Sequence, residues 1–161
     1  MDLTPPSTGV SSPPTWSSSD VTLTLSPTDA LSGVGSTSYR IDDGDVQEGT
    51  APLVSGQGEH TVEFWSTDVA GNIEETQSVV VRIDVAAPSS TGSVSPAPNG
   101  PGWNREAVTV SFECGDVDGG AGVVSCTEPQ TFGDEVDTTV TGTVTDGAGN
   151  EASVQVRCGS T

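Results

Sequence analysis

The chain has 161 residues and a formal net charge of −19, because 23 acidic residues stand against four arginines and no lysine. This charge excludes nucleic acid and anionic membrane surfaces as partners, since both require clustered cations. No apolar run approaches the roughly 18 residues of a membrane span, so membrane insertion is not expected. Only 32% of the residues are hydrophobic, and any core must therefore be thin.

All of the predicted elements are β-strands. β-branched residues alternate with polar ones at period two, and no window of useful length has helical periodicity. The first half of the chain is expected to form strands near 7–12, 20–26, 36–42, 45–54, 59–67 and 76–83. The second half is expected to form strands near 107–113, 123–127, 130–135, 138–145 and 152–158. Short strands separated by glycine and proline predict a sandwich or a barrel.

An internal repeat decides between one domain and two. TDVAGN at 67–72 returns as TDGAGN at 145–150, and VTLTLSPTD at 21–29 returns as VTVSFECGD at 108–116. Internal repeats are read first because they determine the architecture. The chain is therefore expected to contain two copies of one module.

The boundary is expected inside IDVAAP at 83–88, a short, proline-ended and semi-rigid linker. Module 1 then covers 1–84 and module 2 covers 85–161. The proline-rich and serine-rich stretch at 88–102 is expected to form an extended edge strand or loop.

Three cysteines lie in the chain, at 114, 126 and 158. A disulfide between Cys114 and Cys126 would close a short loop, contribute about 3 kcal/mol and imply an oxidising compartment. Zinc is the weaker alternative, because no His or Cys pair has ligand spacing. Cys158 aligns with Ile83 on an apolar face, which favours a small buried hydrophobe over an intermolecular bond.

Module 1 resembles the bacterial Ig-like repeats often called OmpL47-type, on the residues W-x4-V-T-L-T-L, D-x-x-S-G-V, Y-R-I-D-D-G and H-T-V-E-F-W-S-T-D-V-A-G-N-x-E. Module 2, with GWNREAVTVSFECGD, GVVSCTEP and VTDGAGN, is similar to relatives in secreted proteins of high-GC bacteria. Those relatives commonly have a cysteine pair at the places of Cys114 and Cys126. The resemblance implies an all-β chain of two tandem immunoglobulin-like β-sandwich domains. It also implies that the modules act as spacers and stalks in adhesins, surface proteins and secreted enzymes. It implies no defined reaction.

Calcium is the cofactor that the acidic loops suggest, because this ion takes about six to eight oxygen ligands. In an Ig-type sandwich the loops after the second and sixth strands lie at the end where the first strand enters. The residues expected to converge at the junction of the modules are Asp84, Asp116, Asp118, Asp146 and Asn150. Their equivalents in module 1 are Asp2, Asp29, Asp68 and Asn72. The alternative is turn chemistry alone, with the aspartates bonding local N–H groups.

Trp65 supports a different hypothesis. By alternation it faces away from Val62 and Phe64, which are expected to face the core, and an exposed aromatic residue can stack on a sugar ring. The chain would then be a carbohydrate-binding accessory region of a secreted carbohydrate-active enzyme. Packing of Trp65 against a neighbouring segment is the alternative, and its counterpart Thr143 cannot stack.

Catalysis is not expected. The single histidine, His60, lies in a strand pattern and is expected to point to solvent. General acid–base chemistry needs two carboxylates of separated pKa in a cleft, which small sandwiches rarely form. The sequence therefore predicts structural extender modules of an extracellular surface or adhesin-type protein. Its expected partners are neighbouring Ig-like modules of the same parent chain, with a glycan or surface ligand as a further candidate.

Overall fold

The computed structural model describes residues 1–97, 106–133 and 137–158. Within these ranges the chain forms fourteen β-strands and no helix, so the predicted all-β class is confirmed. The described residues accordingly contain no helix that could cross a membrane. The chain divides into two compact units, Met1–Val85 and Ala86–Thr161, which are called unit 1 and unit 2 below.

Unit 1 is a sandwich built from eight antiparallel strands. They are β1 (Ser7–Val10), β2 (Val21–Thr22), β3 (Leu25–Thr28), β4 (Val34–Ile41), β5 (Gln47–Glu48), β6 (Leu53–Val54), β7 (Gly58–Asp68) and β8 (Gln77–Ile83). One layer is a four-stranded sheet in the order β5-β4-β7-β8. The other strands pair as β1 with β3 and β2 with β6.

The core of unit 1 lies between these layers. Leu23 and Val54 pack with Val62, Val81 and Ile83 of the four-stranded sheet, and none of the five is more than 1% exposed. Burial of aliphatic side chains of this size contributes about 1.5–3 kcal/mol each. A second cluster consists of Leu25, Tyr39 and Phe64. The prediction that Val62 and Phe64 face the core is confirmed.

Two strands predicted as continuous in unit 1 change partner partway. The segment 45–54 forms β5, which pairs with β4, and β6, which pairs with β2. Gly49, with φ of 144°, and Pro52, which has no N–H, separate the two pieces. The segment 20–26 similarly divides into β2 and β3. Alternation shows which face is buried but not which strand lies alongside, so the pattern could not predict these breaks.

Unit 2 contains six strands in two sheets within the described ranges. They are β9 (Ser89–Ser95), β10 (Val108–Gly115), β11 (Val123–Cys126), β12 (Gln130–Phe132), β13 (Thr138–Asp146) and β14 (Glu151–Cys158). The sheet orders are β12-β10-β9 and β11-β13-β14. β9 is an edge strand, as predicted for the stretch 88–102, whose last residues lie outside the described ranges together with 134–136.

The core of unit 2 joins its two sheets. It consists of Val108, Val110, Val140 and Cys158, and the Cys158 thiol is a small buried hydrophobe as predicted. Cys114 at the end of β10 and Cys126 at the end of β11 form the predicted disulfide. Because β10 and β11 belong to different sheets, this bond ties the two layers together covalently.

Candidate functional site

Three carboxylates of unit 1 meet where strands end. Asp2 lies in the segment before β1, Asp29 directly follows β3, and Asp68 is the last residue of β7. One oxygen of each carboxylate lies within 4.8 Å of an oxygen of the others. The structure thus brings together three side chains that the sequence assigned to one site.

The fourth predicted member, Asn72, forms the turn after β7. Asp68 Oδ1 accepts a hydrogen bond from the Asn72 N–H at 2.7 Å, and Asp68 Oδ2 accepts one from Asn72 Nδ2 at 2.7 Å. In unit 2 the repeated string forms the same turn, with Asp146 accepting from the Asn150 N–H at 2.9 Å and from Asn150 Nδ2 at 2.8 Å. The turn chemistry predicted for these strings is therefore present in both units.

The asparagine side chains also hold the chain that enters each unit. Asn72 Nδ2 donates to the carbonyl oxygen of Asp2 at 3.3 Å, and Asn150 Nδ2 donates to the carbonyl oxygen of Ala86 at 3.2 Å. Each repeated string therefore anchors the segment that precedes the first strand of its own unit. The sequence placed the string beside that segment but did not predict this bond.

Asp2 and Asp29 bind the loop between β3 and β4. Asp2 Oδ2 accepts from the Ser32 N–H at 2.9 Å, and Asp29 Oδ2 accepts from the Gly33 N–H at 2.7 Å. Gly33 has φ of 83°, so glycine is favoured at this position. The segment before β1 and the β3–β4 loop are thereby held against the end of β7, where Asp68 lies.

The pKa values of this cluster reflect its hydrogen bonds. The Thr4 N–H holds the pKa of Asp2 below its ordinary value, although the Asp68 charge opposes this. Burial raises the pKa of Asp68, but the hydrogen bonds from Asn72 outweigh it and the net pKa is lowered. Both carboxylates are therefore ionised at neutral pH.

The Ser32 hydroxyl faces these two carboxylates. It lies close enough to lower the pKa of both Asp2 and Asp68. Its oxygen is nevertheless buried and makes no hydrogen bond of normal geometry within the described residues. A buried hydroxyl without a well-formed bond is uncommon, and here it adds a further oxygen beside the three carboxylates.

Unit 2 has a related pair of acids. An oxygen of Asp116 lies within 4.8 Å of an oxygen of Asp146, and Asp116 Oδ2 also accepts from the Gly122 N–H at 2.7 Å. Asp118 is exposed and lies outside this group. Asp84 belongs to unit 1, where its carboxylate accepts from Gln57 Nε2 at 2.8 Å. The predicted junction site draws on both units, and it stays a prediction.

Trp65 lies on the outer face of the four-stranded sheet. It is opposite Ser38 of β4 and is partly exposed, on the other side of β7 from Val62 and Phe64. The prediction that His60 points to solvent is wrong, because its side chain is only 15% exposed. Its Nδ1 hydrogen-bonds to Asp42 Oδ2 at 2.7 Å and its Nε2 to the Gly56 carbonyl at 3.2 Å, so the β6–β7 loop covers the ring.

A buried polar cluster in unit 1 was not predicted from the sequence. Thr8, Thr37, Ser66 and Glu74 are each at most 8% exposed. Glu74 Oε2 accepts from Thr8 Oγ1 at 2.6 Å and from the Ser66 N–H at 3.1 Å, and Glu74 Oε1 accepts from the Thr8 N–H at 2.7 Å. Ser66 was the available signal, since a polar residue there shares the inward face of β7 with Val62 and Phe64.

No protein-family model matches the chain, and no curated protein matches it either. Among solved structures, the fibronectin(III)-like modules of Clostridium thermocellum CbhA are similar with a TM-score of 0.47 and 12% identity, over 96% of this chain and 94% of that one. The D00-D0 domain of Intimin is similar with a TM-score of 0.45 and 11% identity, over 95% and 98%. Identities this low leave ligand and partner open, so function has to be inferred from the chain's own residues.

The class that the two units define is that of immunoglobulin-like β-sandwich modules. Each consists of antiparallel sheets around a thin aliphatic core, and each has one repeated turn that holds its entering segment.

Proposed function

We propose that the chain is a pair of structural, non-catalytic extender modules of a secreted or cell-surface protein. The observation that carries this proposal is the bond from Asn72 or Asn150 to the backbone of the segment entering each unit. A spacer has to resist swivelling where one module follows another. An entering segment that is bound to an end turn has fewer conformations available than a free linker.

The compartment and the family belong to the same proposal. A disulfide such as Cys114–Cys126 persists in oxidising environments, which supports a secreted or surface location. The strong negative charge keeps such modules soluble. We place the chain with the OmpL47-type repeats of adhesin-like proteins, and its partners are then neighbouring Ig-like modules of the same parent chain.

The asparagine anchor offers a matched experiment. Asn150→Ala removes the bond to the segment entering unit 2, while Asn72→Ala removes the equivalent bond at the N-terminal side of unit 1. We expect Asn150→Ala to make the two units tumble more independently, measured by backbone ¹⁵N relaxation. Asn72→Ala serves as the control and should leave their relative tumbling unchanged. Identical relaxation in wild type and Asn150→Ala would contradict the extender proposal.

Calcium is the finer part of the proposal. The ionised carboxylates of Asp2 and Asp68 repel each other beside Asp29, and a cation between the three side chains would relieve that repulsion. Carboxylate oxygens are ligands that calcium accepts, and the buried Ser32 hydroxyl adds a further oxygen beside them. In the same way, we propose Asp84, Asp116, Asp118, Asp146 and Asn150 as the ligand set at the junction. Calcium would there hold the linker in place.

Thermal unfolding with and without calcium tests this part separately. Calcium should raise the Tm of the wild type, and Asp68→Asn should reduce that increase, because it removes a charged ligand. Asp45→Asn removes an exposed charge outside the cluster and should leave the increase intact. If chelation does not change the melting curve, the calcium proposal fails while the extender proposal stands.

A carbohydrate-binding accessory region is the weaker alternative. The partly exposed ring of Trp65 lies on a sheet face beside Ser38. Glycan pull-down that disappears in Trp65→Ala would favour this alternative over the extender.

A further inference from the structure

Three side chains of unit 1 have the composition of an acyl-transfer site. Thr8 supplies a hydroxyl, Gln77 supplies a carboxamide, and Glu74 bonds to both of them. Thr8 lies in the first strand of the unit and Gln77 begins the last one, 69 residues away in sequence. We propose that these residues form an intramolecular ester cross-link between Thr8 Oγ1 and Gln77 Cδ, with Glu74 as the general base.

The Glu74 carboxylate contacts both the hydroxyl that gives up its proton and the amide nitrogen that receives it. Glu74 Oε2 accepts from Thr8 Oγ1 at 2.6 Å, and Glu74 Oε1 accepts from Gln77 Nε2. Gln77 Nε2 also donates to the Thr8 carbonyl oxygen at 3.1 Å, which holds the amide beside the threonine. The base is therefore within hydrogen-bond reach of both the nucleophile and the leaving group, which is the geometric requirement for base-assisted attack.

The surrounding hydroxyls are oriented to support the nucleophile. Thr8 Oγ1 donates its single proton to Glu74 Oε2. Ser66 Oγ lies 2.7 Å from Thr8 Oγ1 and must then donate to it. Thr37 Oγ1 lies 2.9 Å from Ser66 Oγ and in turn donates to Ser66. The Thr8 oxygen thus receives one hydrogen bond while it gives up its own proton.

The reaction balances without an outside reagent. Glu74 takes the proton from Thr8 Oγ1, and that oxygen attacks Gln77 Cδ to form a tetrahedral intermediate. Glu74 then returns the proton to Gln77 Nε2, the C–N bond breaks and ammonia leaves. One hydroxyl and one carboxamide become one ester and one ammonia. Thr8 is only 2% exposed whereas Gln77 is exposed, so the ester oxygen is buried while the departing ammonia can reach solvent.

Unit 2 provides an internal control. The repeat places Ser90 at the position of Thr8 but Ala152 at the position of Glu74. Unit 2 thus has the hydroxyl without the base. The cross-link is therefore expected in unit 1 alone, whereas unit 2 has the disulfide between Cys114 and Cys126.

The positions of the arginines make the test direct. Trypsin cleaves after Arg40 and Arg82, which puts Thr8 in peptide 1–40 and Gln77 in peptide 41–82. The purified wild-type chain should give these two peptides as one species whose mass is lower by one ammonia, with tandem spectra that place the bond at Thr8 and Gln77. Separate peptides of full mass would overturn the proposal. So would a loss of ammonia confined to one peptide, as asparagine can produce.

Variants assign the roles. Thr8→Ser keeps the hydroxyl and should cross-link, whereas Thr8→Val should not. Glu74→Gln should slow cross-linking by about 100-fold or more if it removes a general base. Gln155→Ala, in unit 2, should leave the linked species unchanged. Undiminished cross-linking in Glu74→Gln would overturn the assigned base. The peptide masses do not depend on interdomain motion or calcium, so failure here leaves the extender proposal untouched.

Discussion

Unit 1 and unit 2 come from one repeat and share the turn that anchors the entering chain, yet they are held together by different chemistry. In unit 1, one inward-facing residue of the long strand β7 is Ser66, which belongs to the hydrogen-bonded cluster around Glu74. The aligned residue in unit 2 is Val144, an apolar side chain that is fully buried. Unit 2 instead ties its two sheets with the Cys114–Cys126 disulfide.

This difference shows what a thin sandwich requires. With few apolar side chains, each unit needs one further connection between layers, and the connection can be polar or covalent. A polar connection works only when each buried group finds a partner, since an unmade bond costs more than a made one contributes. The carboxylate of Glu74 meets this condition, because each of its oxygens accepts at least two hydrogen bonds.

Removal of the polar connection should have the largest effect. Glu74→Ala leaves the Thr8 N–H and the Ser66 N–H without their acceptor and removes the proposed base of the Thr8–Gln77 cross-link, and we expect unit 1 to lose about 4 kcal/mol of stability. Native-state hydrogen exchange, read unit by unit, measures this loss. Glu75→Ala removes an exposed neighbouring charge and should cost little. Equal losses in the two variants would mean that the cluster contributes nothing specific.

The covalent connection should have a slightly smaller effect, and in the other unit. Replacing Cys114 and Cys126 by serine should lower the stability of unit 2 by about 3 kcal/mol, because the unfolded chain regains the freedom of the short loop. Chemical denaturation followed by residue-specific NMR separates the two units. Unit 1 should be unchanged, and a comparable loss there would show that the units do not stabilise themselves separately.

The smallest expected effect depends on pH and is confined to unit 1, because His60 is the only histidine of the chain. The hydrogen bond to Asp42 raises the pKa of His60 above its ordinary 6.5. The contribution of this pair to the free energy of unfolding is therefore full below pH 6.5 and is lost as the pH rises through the raised pKa. The hydrogen bond with His60 is the main reason that the pKa of Asp42 is lowered. The contribution of Asp42 to stability is therefore lost only when the pH falls through that lowered pKa.

We therefore expect the stability difference between wild type and His60→Gln to shrink between about pH 6 and about pH 9, by at most about 1 kcal/mol for this surface pair. Urea unfolding of unit 1 across this range measures the difference. A difference that grows with pH would contradict the assigned pair, and unit 2 provides a baseline without histidine.

Much of the architecture was predictable because it depends on local patterns. The period of two in HTVEF placed Val62 and Phe64 in the core, and the repeated TD-x-AGN strings predicted turns capped by aspartate. Cys158 was predicted as buried from its alignment with Ile83. Each of these predictions depends on residues close in sequence or on a comparison of the two repeats. None of them requires knowledge of which strands are neighbours.

The acid cluster was predictable in part. Asp2, Asp29 and Asp68 were assigned to one end because an Ig-type topology brings their loops there, and the structure brings them within 4.8 Å. The burial of the Ser32 hydroxyl beside them could not be predicted, since it depends on how the β3–β4 loop closes. His60 was mispredicted although alternation places it on the same face of β7 as Val62 and Phe64.

By itself, the sequence determined the strand class, the two-fold repeat, the inward faces and the cysteine pair, because these follow from side-chain period and residue type. Only the tertiary structure decided that Glu74, which lies in a stretch that reads as a polar loop, is buried among Thr8, Thr37 and Ser66. A carboxylate is placed in a core by partners that are distant in sequence, here up to 66 residues away. No local pattern contains that information, and the folded unit supplies the hydrogen bonds that make the burial possible.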